Sequence, residues 1–281
     1  MKQRFPSTSP GKSLSEWQNS PSFHERGSPR TPCWTTGRSR LFSGRHHETP
    51  ADPAEHMRPL RVARAMTLLA IETTSPVSSV ALVADGVLAA ECAWRSPDAA
   101  AGLLPALATV LRGASLDHVD RLVVSAGPGS WTGTRIGISF AKGLASGEAQ
   151  RIYVLSTMDI LAWPFSGMPV RLCCLIPCRR GTFWYAVYGN RCRRQMRQAR
   201  LPDIAREAGA DALFTGPGVE EIPRDEADRL GIALAPAALR YPRASSAAFL
   251  AAEHLDAGVP SLPAEPFYHL PDESHFPCPR V

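Results

Sequence analysis

The strongest structural signal in this 281-residue chain is a glycine-rich loop with the sequence GPGSWTGTRIG at residues 127–137. It follows residues 121–126, a short apolar segment rich in β-branched side chains, which is typical of a buried strand. It leads into a segment in which Ile136, Phe140 and Leu144 recur every four residues, as on one face of a helix. The sequence therefore predicts a strand, a tight turn and a helix in succession.

Two interpretations of this loop remain open. Its glycines permit backbone conformations that a Cβ atom would forbid, and Ser130 or Thr132 can cap the following helix, whose N-terminus would attract an anion. Alternatively, the glycines serve only the packing of a sharp turn. The loop has neither a Walker Gly-Lys-Ser/Thr ending nor the Gly-x-Gly-x-x-Gly spacing of dinucleotide-binding loops, so the motif alone does not decide between them.

A second signal lies at residues 67–75, where an apolar strand ends in Glu72 and three consecutive hydroxyl side chains. Two further strands are predicted within residues 79–92, joined by Asp85-Gly86, which is typical of a two-residue hairpin turn. A strand that ends in an acid and hydroxyls and is followed by a hairpin resembles the opening of the actin/hexokinase/Hsp70 fold. In that fold the turn faces a nucleotide phosphate.

The remaining elements extend this α/β pattern. Asp98 can cap an apolar helix that ends at Gly113, and a strand at residues 151–155 precedes a short helix that ends at Pro164. The first half therefore reads β-β-β-α-β-α-β-α. The second half is shorter and rich in proline, which predicts a truncated repeat of the same lobe. The predicted organisation is a basic leader (1–65), an N-terminal lobe with a partner interface (66–165), a smaller C-terminal lobe (166–270) and a flexible tail (271–281).

Several of these segments together resemble the TsaB (YeaZ) family. The resemblance covers residues 66–270, and the glycine-rich loop is its most specific motif. The matching segments are LAIETT at residues 69–74, the loop at 127–137, LSTM at 155–158, RRGTFWYAVY at 179–188, and Pro266-Phe267-Tyr268.

The resemblance implies a function in tRNA modification. TsaB proteins support TsaD, the subunit that transfers a threonylcarbamoyl group to the adenosine beside the anticodon, and they do not carry the chemistry themselves. The implied partners are a TsaD-like catalytic subunit, a TsaE-like ATPase and tRNA reached through the complex, with a homodimer as an alternative for the isolated chain. No catalytic residue, metal or firm cofactor is expected, although ATP or ADP with magnesium could bind in the complex.

Three positions depart from the family pattern. The usual Arg-x-His stretch reads Arg95-Ser96-Pro97 here, and the usual Ile-Asp-Ala-Arg reads Ile176-Pro177-Cys178-Arg179, so a histidine and an acid are missing. Proline also removes a backbone donor. The family's aspartate on the first strand is the longer Glu72. These changes weaken a nucleotide or metal role and leave a scaffold role intact.

An enzyme remains the alternative. An ATP-dependent kinase or ATPase of the same superfamily would use Glu72 for magnesium and the hydroxyls and loop for phosphates, but Pro177 occupies the place of its second acid. The candidate phosphate-facing residues are Glu72, Thr73, Thr74, Gly127, Gly129, Ser130, Thr132 and Gly133.

The two helices around the loop are the candidate partner interface. Gly133, Gly137, Ala141 and Ala145 recur every four residues and leave one helix face almost without side chains, which permits close approach by another helix, although the same face could pack on the chain's own sheet. On the interface interpretation, Ala141→Arg would weaken partner binding and leave the fold native. The candidate interface residues are Leu103, Leu104, Leu107, Leu111, Ile136, Gly137, Phe140, Ala141 and Leu144.

The basic charge of the chain is concentrated at its start. Residues 1–65 hold 11 Lys and Arg against 5 Asp and Glu, which leaves 20 against 21 for residues 66–281. Few apolar residues occur in this first segment, so it is expected to be disordered. It is interpreted as sequence upstream of a translation start at Met57 or Met66, with a tRNA-attracting arm as the main alternative.

Other patterns bear on location. No run approaches the roughly 18 apolar residues of a membrane span, so no membrane association is expected. The seven cysteines lack a paired Cys-x-x-Cys spacing, which favours reduced thiols in a cytoplasmic protein. The arginine-rich stretch at residues 191–200 is interpreted as a solvated rim, with contact to tRNA phosphates as the alternative.

Overall fold

The computed structural model describes residues 66–95, 98–148, 151–189, 192–193 and 195–267. The predicted leader and tail lie outside these residues. All described residues fall within one contact unit of the chain.

The first half forms a five-stranded mixed sheet with the order β3-β2-β1-β4-β5. β2 pairs antiparallel with β1 and β3, whereas β4 runs parallel to β1 and β5. Asp85-Gly86 forms the predicted turn between β2 and β3, with both residues at positive φ. The strands are β1 (Thr67–Glu72), β2 (Val77–Ala84), β3 (Val87–Arg95), β4 (Arg121–Ser125) and β5 (Ile152–Leu155).

Two helices cover one face of this sheet. α1 (Ala99–Leu111) packs on β2 and β3, and α2 (Trp131–Leu144) packs on β4 and β1. Asp98 caps α1 by accepting from the backbone N–H of Ala100 at 3.0 Å, and Ser130 Oγ caps α2 by accepting from Gly133 N at 3.1 Å. α3 (Thr157–Ala162) follows β5, so the predicted β-β-β-α-β-α-β-α order is confirmed.

The second half forms a six-stranded sheet with the order β11-β10-β6-β7-β8, in which β9 also pairs with β7. Its strands are β6 (Arg171–Pro177), β7 (Phe183–Gly189), β8 (Cys192–Arg193), β9 (Arg197–Ala199), β10 (Ala212–Thr215) and β11 (Ala233–Leu234). Its helices, α4 (Leu201–Ala208) and α5 (Arg224–Leu230), have 8 and 7 residues, against 13 and 14 for α1 and α2. The predicted fold class, an actin/hexokinase/Hsp70-like α/β fold with a truncated second lobe, is confirmed.

The last helix, α6 (Ala244–Asp256), packs on the first sheet, against the face opposite α1 and α2. The predicted division placed this segment in the C-terminal lobe. Its sheet-facing side is made of small residues, among them Ala244, Ala248 and Ala251, each fully buried, which let the helix lie close to β1 and β2. Glu91 on β3 fixes its first turn, since the carboxylate accepts two bonds from Arg243 and one from Ser245 N.

The chain after α6 runs back along the edge strand β5. Leu262 N donates to Val154 O at 3.2 Å, and Ser261 Oγ accepts from Val154 N at 2.9 Å. Phe267 N then donates to Ala126 O at 2.9 Å, beside the glycine-rich loop. The Pro266-Phe267 motif therefore closes against the loop, and Tyr268 lies outside the described residues.

Candidate functional site

The glycine-rich loop is bound directly to the turn between β1 and β2. Ser130 N donates to Thr74 O at 2.7 Å, and Thr73 Oγ1 donates to Gly133 O at 2.7 Å. Thr157 Oγ1 at the start of α3 lies 3.1 Å from Thr74 Oγ1. Both predicted phosphate-facing threonines are 2% exposed. Their hydroxyls are therefore committed to contacts within the protein.

Three glycines are required by this packing. A Cβ atom on Gly133 would lie 2.0 Å from Thr73 O, and one on Gly129 would lie 2.3 Å from Thr74 O. On Gly137 it would lie 2.4 Å from Thr73 Oγ1. Such distances are far inside van der Waals contact, so the turn can approach the loop only where side chains are missing. This geometry supports the packing interpretation of the loop.

Glu72 lies behind this turn and is completely buried. Its Oε1 accepts from Thr74 N at 2.6 Å and from Thr74 Oγ1. Ser125 on β4 also interacts with the carboxyl, but without the geometry of a regular hydrogen bond, and both Glu72 Oε2 and Ser125 Oγ stay unsatisfied. Burial raises the pKa of Glu72, and the hydrogen bonds only partly oppose that shift. The shift makes the charged form, which a magnesium ion needs as its ligand, harder to reach than on an exposed glutamate.

A cleft of about 620 Å³ opens in front of the turn. Of the predicted phosphate-facing residues, six line it: Thr73, Thr74, Gly129, Ser130, Thr132 and Gly133. Glu72 and Gly127 do not line it, so their assignment to a ligand-facing surface is corrected. Thr74 occupies one carboxylate oxygen of Glu72. Gly127 is needed for the turn of the chain, because its φ of 99° is disfavoured for a residue with a Cβ atom. Ile176, Pro177, Pro217 and Glu221 supply the opposite wall.

The charges at the cleft do not match a magnesium nucleotide. Arg95 is the one cation among the described lining residues, and it forms an ion pair with Glu220 at 3.6 Å and a hydrogen bond to the Tyr241 hydroxyl. Asp98 caps α1. Pro177 stands where an acid was expected. In the described part of the chain, no three His, Cys, Asp or Glu side chains come together in an arrangement that could hold a metal ion.

The predicted interface residues divide into two groups. Leu103, Leu107 and Ala141 are 2%, 7% and 0% exposed, and Gly137 is buried against Thr73 and Val124. These four belong to the core of the first lobe because the small face of α2 packs on the chain's own sheet, as the alternative interpretation held. The expectation that Ala141→Arg leaves the fold native is corrected accordingly.

The other predicted interface residues lie at or near the surface. Leu104 is 66% exposed, and four neighbours on the two helices are partly exposed: Leu111, Ile136, Phe140 and Leu144. α1 and α2 contact each other on the same face of the sheet. We call these five residues the apolar flank.

Two side-chain contacts were not predicted from the sequence. Trp131 at the start of α2 is 57% exposed, with the Arg135 guanidinium 5.7 Å from its ring centre. Their spacing of four residues is a signal that could have been read on a helix. The contact of Arg95 with Tyr241 joins residues 146 apart, and no local pattern announces it.

Comparison with known proteins gives one family-model match. Residues 98–218 match the model described as TsaD: tRNA N6-adenosine threonylcarbamoyltransferase. This segment covers less than half of the chain. It begins at the cap of α1 and includes the glycine-rich loop.

Curated relatives carry a related name. The chain is similar to "tRNA threonylcarbamoyladenosine biosynthesis protein TsaB" of Escherichia coli, with 35% identity over 128 residues, which are 44% of this chain and only 55% of that relative. It is also similar to the Bacillus subtilis protein of the same name, with 28% identity over 212 residues, covering 70% of this chain and 92% of the relative.

Solved structures show the same likeness. A crystal structure of a Pseudomonas aeruginosa protein described as similar to peptidase YEAZ superposes with a TM-score of 0.57 and 28% identity, covering 73% of this chain and all of the other. A structure described as YeaZ from the same organism gives a TM-score of 0.55 and 27% identity. None of the helices in the described ranges is long and apolar enough to cross a membrane.

Proposed function

We propose that the chain, whose relatives and structural neighbours are named TsaB and YeaZ, is a non-catalytic scaffold subunit in the synthesis of threonylcarbamoyladenosine on tRNA. It binds a TsaD-like catalytic subunit, which transfers the threonylcarbamoyl group to the adenosine beside the anticodon. A TsaE-like ATPase joins the same complex, and tRNA is reached through it. The relatives' names support a function in threonylcarbamoyladenosine synthesis, and the geometry of α1 and α2 supports the scaffold role.

The state of the cleft argues against chemistry on this subunit. The hydroxyls of Thr73 and Thr74 are bound within the protein, and Glu72 is buried with a raised pKa. Pro177 brings no carboxylate to the opposite wall. A phosphoryl-transfer site needs cationic and metal-holding groups aimed at the phosphates, and the described residues of this cleft do not provide that set.

The apolar flank is the observation that carries the proposal. A leucine that is 66% exposed on α1 and four partly buried apolar side chains on the two helices leave apolar area in contact with water on this side of the lobe. Burying the remaining two thirds of this leucine is worth about 1–2 kcal/mol. A standard interface buries about 800 Å² on each partner, and α1 and α2 would supply part of that area.

The test is co-purification of the full chain with the TsaD-like subunit of the same organism. The variant Leu104→Glu changes an exposed side chain, and the double variant Leu104→Glu/Phe140→Glu removes more of the flank. The control Val87→Glu/Leu88→Glu changes apolar residues that are 66% and 41% exposed at the start of β3 and are not part of the flank. We expect the flank variants to bind at least about tenfold more weakly, a cost of about 1.4 kcal/mol, and the control to bind normally.

Each outcome has a meaning for the proposal. Circular dichroism must show that the flank variants stay folded, and Leu104→Glu alone suffices if the double variant does not. Folded flank variants that bind the catalytic subunit with unchanged affinity would refute the interface. Turnover of ATP by the isolated chain would instead favour the kinase or ATPase alternative. Loss of self-association without loss of partner binding would assign the flank to a homodimer.

A further inference from the structure

One segment of the second lobe has a strong charge bias. Residues 177–200 contain seven arginines and no aspartate, glutamate or lysine. Residues 66–281 hold 20 basic against 21 acidic residues, so the rest of that region keeps 13 against 21. The chain from residue 66 onward is therefore acidic except in this one stretch.

The fold brings part of this segment together at one end of β7. Arg179 and Arg180 lie in the turn between β6 and β7, and both are exposed. The register pairs Phe183 with Ala199, so Arg200, which follows β9 directly, lies beside the same turn. Gln198 Nε2 donates to Thr182 Oγ1 at 2.7 Å and fastens β9 to the turn. We call Arg179, Arg180 and Arg200 the arginine corner.

The arginine corner lacks internal neutralisation. Among the described residues, none of its three guanidinium groups has an acidic partner within 4 Å, whereas Arg206 pairs with Asp203 at 3.2 Å and Arg229 with Glu226 at 3.5 Å. Three like charges held together repel one another, and a polyanion that contacts all of them relieves this repulsion.

The residue type narrows the choice of polyanion. Arginine presents a planar fork that binds phosphate oxygens in pairs, and the segment uses arginine without any lysine. The corner also starts next to the cleft, because Pro177, which lines the cleft, stands two residues before Arg179. We propose that the arginine corner contacts the phosphate backbone of tRNA. The choice of tRNA rests on the proposed function, and the phosphate chemistry rests on the corner itself.

The test is binding of an unmodified tRNA transcript to the full chain, followed by fluorescence anisotropy between 50 and 200 mM salt. The corner variant is Arg179→Ala/Arg180→Ala/Arg200→Ala. The control variant Arg206→Ala/Arg224→Ala/Arg229→Ala removes the same charge from exposed positions on α4 and α5. Each phosphate contact contributes about 0.9 to the slope of log affinity against log salt. With three contacts, the parent chain should lose on the order of 40-fold more affinity than the corner variant over this range.

A third variant, with lysine at the three corner positions, keeps the charge and should bind between the parent and the alanine variant. If the corner and control variants lose equal affinity for tRNA, the proposal is overturned, because tRNA would then respond to the net charge of the chain and not to the position of these arginines. So would binding that depends on the corner only with anionic lipid vesicles and not with tRNA. Co-purification with the TsaD-like subunit is measured separately. If the chain binds this subunit but the corner variant binds tRNA as the parent does, the tRNA contact is refuted and the scaffold role is not.

Discussion

Gly133→Ala tests whether the glycine-rich loop serves packing. The added Cβ atom would lie 2.0 Å from the backbone oxygen of Thr73, a contact that no rotation of a side chain can relieve. The β1–β2 turn and the first turn of α2 must separate by about 1 Å, and overpacking of this kind costs about 3 kcal/mol. The hydrogen bond from Thr73 Oγ1 to Gly133 O is lost as well, at about 1 kcal/mol.

Alanine is the better helix former by about 1 kcal/mol, so the net loss of stability is about 3 kcal/mol. For a chain of this size it corresponds to a fall in melting temperature of about 6–12 °C. The matched control is Gly143→Ala in the same helix, where the new Cβ atom meets nothing within 4 Å. At this position only the higher helix propensity of alanine acts, without any steric clash, and the variant should be stabilised by about 0.5–1 kcal/mol.

Thermal unfolding followed by circular dichroism measures both variants under the same conditions. A melting temperature of Gly133→Ala equal to or above that of Gly143→Ala would contradict the packing role, since the close approach of loop and turn would then cost no stability. A large loss in both variants would also count against it, because helix flexibility rather than packing would be the cause.

Two further substitutions test the carboxyl groups of Glu72 and Glu91. Burial raises the pKa of Glu72 above 4.5, so the folded chain keeps a proton that the unfolded chain releases, and stability falls as the pH rises through the raised pKa. The urea midpoint of Glu72→Gln should therefore rise relative to that of the parent chain as the pH increases from 5 to 8. A difference between the two midpoints that does not change with pH would contradict this. Glu91→Ala should cost about 2–3 kcal/mol, because its 11% exposed side chain holds Arg243 and caps α6 through Ser245. Glu226→Ala, which removes an exposed pair within one helix, should cost less than about 0.5 kcal/mol, and equal midpoints in urea would refute the anchoring role of Glu91.

Elements with strong local signals were predictable from the sequence. The Asp85-Gly86 turn, the Asp98 cap and the four-residue spacing in α2 each depend on residues close together in the chain. Such signals determine where an element begins and which type it is. The order of strands in the first sheet then follows from the resemblance, because the hairpin and the glycine-rich loop occur in the order typical of that fold.

The burial of individual side chains was less predictable. Leu103, Leu104 and Leu107 all belong to one apolar stripe in the sequence, yet Leu104 is 66% exposed and the other two are core residues. The stripe is wider than the contact between α1 and the sheet, so periodicity alone does not tell which edge stays outside. In α2 the small face could pack on a partner or on its own sheet, and only the position of Thr73 decides.

Contacts between distant parts of the chain could not be predicted. α6 carries a run of alanines that fits either sheet, and its place on the first sheet depends on Glu91, which is 152 residues before Arg243. The pairing of Arg95 with Glu220 and Tyr241 is of the same kind. These partners are single residues without a repeating pattern, so sequence reasoning had no signal from which to infer them.

The packing of the loop links the cleft to the apolar flank. The turn at Thr73 and Thr74 fixes Gly133 and Ser130, and these residues fix the first turn of α2. Ile136, one turn further along, both lines the cleft and belongs to the flank. In an enzyme of this fold the same loop would have to leave its donors free for phosphate. Here Ser130 N, Gly133 N and Thr134 N donate within the protein, so the loop holds α2 in place, and with it the part of the proposed partner surface that lies on α2.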